Sequence, residues 1–155
     1  MNRKRLRELV YQKYDGHCAY CGREIAMEDM QVDHIISRYK NGTDDLENFN
    51  PACRMCNFRK GVYTIEQFRR EIQDQAKTAM KTFGNRMSSV YGLISYTPHE
   101  ITFYFEKVNK QNKDMTLNDY SILVAKHGEE WVKWMFPRCV KDLERRLKKE
   151  DGHGT

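Results

Sequence analysis

An α+β fold, with a short mixed module in the first sixty residues and a mainly helical extension after it, is what the sequence predicts. Three observations lead there. Two Cys-x-x-Cys pairs, Cys18/Cys21 and Cys53/Cys56, bracket a compact stretch. Within it Met30, Val32 and Ile35 alternate closely enough to read as a strand. Beyond it Ile65, Phe68, Ile72, Ala76, Ala79 and Phe83 recur at helical spacing.

In order along the chain, residues 1 to about 15 predict a helix with Leu6, Leu9, Val10 and Tyr14 on one face and arginines on the other. Asp15-Gly16 ends it and opens the first Cys-x-x-Cys turn. The segment from Tyr39 to Asp45, with Asn41-Gly42, is a loop. Asn57 to Gly61 reads as a helical turn closed by glycine, with Asn57 opening it. Thr64-Ile65-Glu66-Gln67 is a capping-box signature, so a long amphipathic helix is expected to about Phe83. Ile101 to Val108, aromatic and β-branched, predicts a strand, paired in a hairpin with Leu93 to Tyr96. Leu117 to Lys126 and Glu129 to Phe136 predict helices separated by Gly128 and stopped by Pro137. A last basic helix carries Val140, Leu143 and Leu147. The domain reading is therefore residues 1–62 as the mixed module with its basic helix, and 63–155 as a mainly helical extension with a short strand or hairpin near 90–108.

Composition bounds the function. The 155 residues are 39% hydrophobic and 32% charged, with a formal net charge of +5. No apolar run approaches the roughly 20 residues of a membrane helix. The basic start, Met1-Asn2-Arg3-Lys4-Arg5, has no apolar stretch behind it, so no secretory signal is read and a cytoplasmic protein is expected. The basic clusters at the two ends suit a polyanion, since neutralising phosphates releases counterions; they equally suit a solvated helix face.

Paired Cys-x-x-Cys turns without a secretory signal point to metal rather than disulfide. Four thiolates fit a tetrahedral zinc site with no open position, hence a structural one, held by Cys18, Cys21, Cys53 and Cys56. Its role would be to pin the stretch between the pairs to the residues after the second pair. Cys139 stands alone and reads as core packing.

Taken together, Cys18-Ala19-Tyr20-Cys21-Gly22, Val32-Asp33-His34-Ile35-Ile36, Asp44-Asp45-Leu46-Glu47-Asn48, Pro51-Ala52-Cys53-Arg54-Met55-Cys56-Asn57 and Lys60-Gly61 resemble the HNH nucleases. The resemblance covers roughly residues 10 to 62. It implies a ββα-metal finger, two strands, a loop and a helix around one catalytic divalent ion, with DNA as substrate. Phosphodiester hydrolysis needs a base for the water and a cation on the phosphate. His34 is the natural base, because imidazole titrates near neutral pH. Asp33 and Asn57 are the expected ligands of the ion. If Asp33 and His34 end a strand, a bulge or turn must aim both inward. The family often has histidine where Asn57 stands. Asparagine there matches its histidine-asparagine-asparagine variant and shifts the expected ion towards Mg2+ or Mn2+. Asn48 matches the family's central asparagine, which holds the loop and orients the histidine. Arg59 and Lys60 are expected on phosphate, and Arg38 and Lys40 on the loop likewise.

Residues from about 62 onward carry no functional motif. The aromatic run Ile101 to Phe105 and the stripe Trp131, Trp134 and Met135 read as core, and the basic helix near Arg145 suits either DNA or solubility. No feature indicates self-association. Two other function classes stay open beside the enzyme: a zinc-stabilised nucleic-acid-binding module without catalysis, and a protein-interaction domain using the finger as scaffold.

Overall fold

A computed structural model describes residues 2–111 and 115–151 of the chain, with some side chains in the last helices outside it. The chain forms two compact units, one ending at Tyr104 and one beginning at Phe105. Among the described residues no helix is long and apolar enough to cross a membrane.

The first unit opens with α1 (Arg3–Gln12), where the Asn2 side chain accepts from the Lys4 amide at 2.9 Å and so caps the first turn. Val10 and Tyr14 are buried as the periodicity predicts. The helix stops earlier than expected. Asp15 and Gly16 both take positive φ, 50° and 75°, which no right-handed helix accommodates.

Strands β1 (Gln31–His34) and β2 (Phe49–Ala52) form a two-stranded antiparallel sheet, in register from Gln31 opposite Ala52 to His34 opposite Phe49. Both strands are edges, so Pro51 fits in β2 without costing a ladder bond in a sheet interior. The loop between them turns through two short 3-10 segments, Arg38–Lys40 and Leu46–Asn48. Gly42 is required there: a Cβ would lie 1.7 Å from the Ile36 carbonyl oxygen.

Helix α2 (Arg54–Lys60) comes directly after β2, with Cys53 as N-cap and Gly61 ending it at φ 47°. Asn57 does not open this helix, as the sequence suggested. The second cysteine turn is itself the helix start, so Asn57 sits mid-helix. Sheet and helix give the ββα arrangement.

Helix α3 (Ile65–Met80) carries the full capping box between Thr64 and Gln67, and buries Phe68. It ends before Phe83 because Thr82 caps the next helix instead: its hydroxyl donates to Ala79 O at 3.0 Å and accepts from the Asn85 amide at 3.4 Å. Helix α4 (Phe83–Val90) results, and Phe83, expected on the apolar face, is exposed.

The strand expected at Ile101 to Val108, and its hairpin arm at Leu93 to Tyr96, do not form. Ile101 to Phe103 is irregular, and Tyr104–Gln111 is helix α5. The aromatic signal reports burial rather than extension. Phe103 is buried against Phe68, while beyond it residues 104, 105, 106 and 108 are half-buried and 107, 109 and 110 exposed, without the alternation of a strand.

In the second unit, α6 (Leu117–His127), α7 (Glu129–Met135) and α8 (Pro137–Asp151) succeed one another in short steps. Thr116 and Asp119 form a capping box, and Pro137 takes the first position of α8, where its missing N–H costs nothing. Met115, Val132, Phe136 and Val140 make the core, with Cys139 packed against it. The side chains of Trp131, Trp134 and Met135 lie outside the described residues.

Candidate active site

The two cysteine turns meet as their spacing predicts. The Sγ atoms of Cys18, Cys21, Cys53 and Cys56 lie within 4.8 Å of one another, and those of Cys21 and Cys53 are 3.9 Å apart. A tetrahedron with metal–sulfur bonds of about 2.3 Å has edges of about 3.8 Å, so the sulfurs are close enough together to hold zinc. Backbone bonds close the turns: Gly22 N–H donates to Cys18 O at 2.9 Å, and Asn57 N–H to Cys53 O at 3.0 Å. Thiols this crowded cannot all ionise without a cation. The hydrogen bond between Cys18 and Cys56 pulls the first down and pushes the second up. A dication resolves that conflict, which is the donor chemistry of a four-thiolate zinc site.

Asp33 and His34 end β1, and the bulge expected to aim both inward is not there. The register runs unbroken, so successive side chains leave on opposite faces. His34 faces the loop. Its ring packs edge-on against Phe49, centroids 4.6 Å apart, and its Nε2 lies 2.8 Å from Asp44 Oδ1. Arg38 grips the same carboxylate twice, at 2.9 and 2.7 Å, and holds the Asp44 pKa below the usual carboxylate range, with His34 adding to it. An ionised Asp44 only accepts, so the proton of a neutral His34 sits on Nε2 and the lone pair on Nδ1.

Asn48 sits behind this loop. Its Oδ1 accepts from Ile36 N–H at 2.8 Å, and its Nδ2 donates to Ile36 O at 2.9 Å and Thr43 O at 2.7 Å. Three bonds from one side chain tie the two limbs of the loop directly after His34.

Asp33 points inward. It is 5% exposed, and its carboxylate accepts from the Tyr20 hydroxyl on Oδ2 and from Lys60 Nζ on Oδ1 at 3.2 Å. Lys60 also reaches Oδ2 at 2.9 Å and the His34 carbonyl at 2.6 Å. Burial raises the Asp33 pKa, and the Tyr20 and Lys60 bonds oppose that rise.

Two residues expected on phosphate have acidic partners within the fold. Lys60 is fully buried and spends its charge on Asp33, because the helical turn from Cys56 to Lys60 faces the sheet. Arg59 turns to α3 instead, where Glu71 pairs with it. Arg38 and Lys40 remain exposed on the loop. Asn57 is half-buried on α2, one helical turn before Lys60.

Sequence reasoning missed three side chains. Asp44 was legible only as an acidic loop residue, and Tyr20 only as filler between cysteines. Asn50, opposite Asp33 in register and 1% exposed, hydrogen-bonds the Tyr20 hydroxyl, while its Oδ1 has no partner among the described residues.

The same stretch matches known proteins in sequence. Residues 18–62 match the family model of the HNH endonucleases. This stretch is an HNH domain. Over 51 residues, 32% of this chain, the sequence is 39% identical to the CRISPR-associated endonuclease Cas9 of Corynebacterium diphtheriae. The match covers 5% of that relative's length. The HNH domain thus takes in both cysteine turns, both strands and α2, and ends at Val62, just before the capping box of α3.

Proposed function

We propose that this chain is a metal-dependent DNA endonuclease whose HNH domain hydrolyses phosphodiester bonds with His34 as general base. The observation that supports it most is the polarity of the His34–Asp44–Arg38 chain. It leaves Nδ1 as the basic atom of an imidazole that is 22% exposed at the end of β1. His34 Nδ1 takes a proton from water as the water oxygen bonds to phosphorus. The bond to the 3′ oxygen breaks, leaving 5′-phosphate and 3′-hydroxyl ends. Asn48 keeps the loop, and so the histidine, in place.

Zn2+ is the ion that suits the four cysteines, in a structural role, and the reducing cytoplasm is the compartment that suits free thiols. Asp33 and Asn57 offer hard oxygen donors that suit Mg2+ or Mn2+. A carboxylate has about four acceptor positions, of which Tyr20 and Lys60 fill three. The unpaired Asn50 oxygen across the sheet is a further acceptor in the same layer. When bound, the divalent ion would supply positive charge for the phosphate oxygens. Arg38 and Lys40, exposed on the loop, would be available to phosphate from that side.

The test is cleavage of supercoiled plasmid by the zinc-loaded chain, with and without Mg2+ or Mn2+, beside His34→Ala. Cleavage that requires the ion and drops by about 10²- to 10⁴-fold in the variant is expected. DNA binding without cleavage under any ion, on a panel of duplex, nicked and branched substrates, would instead favour the non-catalytic binding module. Undiminished cleavage by the variant would remove His34 from the mechanism.

A further inference from the structure

We propose that Tyr20 is a positioning residue through which the cysteine cluster sets the affinity of Asp33 for the divalent ion; this rests on the nuclease reading above. Tyr20 lies between two of the four cysteines, and its backbone is pinned on both sides. Ala19 N–H donates to Pro51 O at 2.8 Å, and Tyr20 O accepts from Tyr104 N–H at 3.0 Å. The side chain is buried, and its hydroxyl is the middle of a polar chain. The Asn50 amide donates to it, and it donates to Asp33 Oδ2. Lys60 completes the layer on Asp33 and sits 6.0 Å from the Tyr20 ring centroid.

The ring has little freedom to move. Phe68 and Phe103 meet it edge-on, centroids 5.5 and 5.6 Å away, and stack on each other at 5.4 Å. Arg69 lies 4.7 Å over Phe103 and donates to Ile101 O, which fastens the irregular segment to α3. A tyrosine clamped at ring and backbone can hold a carboxylate in one orientation. Groups that hydrogen-bond a ligating carboxylate tune it, and losing one typically weakens metal binding about 10- to 100-fold.

This has two consequences for the fold. The cysteine cluster does more than hold the strands together, since the turn it closes carries the donor to Asp33. And α3 with residues 101–104, which lie beyond the stretch matched by the HNH family, help to complete the site. They supply Phe68, Phe103 and the Tyr104 amide.

Mn2+ binding to the zinc-loaded chain, with electron paramagnetic resonance of the free ion as readout, tests this without relying on activity. Zinc content and circular dichroism are measured on every variant. Asp33→Ala is expected to abolish the site. Tyr20→Phe, which keeps the ring among its aromatic neighbours, is expected to retain zinc and fold while binding Mn2+ about tenfold more weakly or worse. Half-saturating Mn2+ for plasmid cleavage should rise in step. Wild-type Mn2+ affinity in a folded, zinc-loaded Tyr20→Phe overturns the proposal. Undiminished binding in Asp33→Ala overturns the ligand assignment beneath it, a separate failure. Should Tyr20→Phe lose zinc or fold, Phe103→Leu decides: it keeps the hydroxyl but loosens the clamp, so weakened Mn2+ binding is expected and wild-type binding sinks the idea.

Discussion

The two faces of β1 carry acid–base pairs of similar composition in opposite surroundings. On the loop face, Asp44 joins Arg38 and His34 with side chains 58%, 70% and 22% exposed. On the inner face, Asp33 joins Lys60 at 5% and 0% exposure. Exposed pairs gain little, because water screens them and ordering two side chains costs entropy. A buried pair has already lost its hydration, so each partner depends on the other. The difference separates the two roles. The inner pair holds in place the carboxylate proposed to meet the ion, while the loop group can re-form around a substrate at small cost, which suits a base that must meet a phosphodiester.

Breaking the inner pair should have the largest effect. Lys60→Met is expected to destabilise the first unit by about 3–5 kcal/mol, read as a fall in denaturant midpoint, since it strands a buried carboxylate. The pH dependence gives the sign. The Asp33 pKa is raised by burial, so between the ordinary carboxylate value and the folded one the native state binds the extra proton. Stability then rises as pH falls through that window, and the deficit of Lys60→Met should shrink on acidification. A deficit that grows instead would mean that Asp33 is not the stranded group.

Changes on the loop face should separate activity from stability. Asp44→Asn leaves an amide that can present either a donor or an acceptor to Nε2, so the tautomer is no longer set. Cleavage is expected to slow by about tenfold with the melting temperature unchanged. Equal rates for the two proteins would show that Asp44 does not orient the base.

The smallest effect is expected of Arg38→Ala, which removes an exposed pair. No measurable change in melting temperature is expected near neutral pH. DNA affinity should weaken, with a shallower dependence on salt by about one counterion, because one fewer phosphate contact is made. Arg38 also holds the Asp44 pKa down. Whatever stability that lends is present above the ordinary carboxylate value and lost as pH falls through the lowered one. A melting temperature that drops at pH 7 would make Arg38 a framework residue like Lys60.

Much of the finger was legible in the sequence because its signals are local or chemical. Cysteine spacing brings four sulfurs together, the Thr64–Gln67 box starts α3, and glycine closes α2. The errors came where a residue's neighbours decide its state. Ile101 to Phe105 has strand composition, yet Phe103 fills an aromatic pocket and no strand among the described residues lies beside it to pair with. Lys60 and Arg59 carry the charge that phosphate needs, yet the turn of α2 points one into the sheet and the other at Glu71.

By itself the sequence determined the cysteine cluster, the first strand and the Asp33–His34 pair, since ligand type and spacing act over a few residues; the ββα order came with the family resemblance. Only the tertiary structure decided that Asp33 and His34 part to opposite faces, that Lys60 is a buried counter-ion, and that Tyr20 reaches Asp33. Those outcomes depend on which distant side chains fill the space around β1, and burial then sets what each charge is able to do.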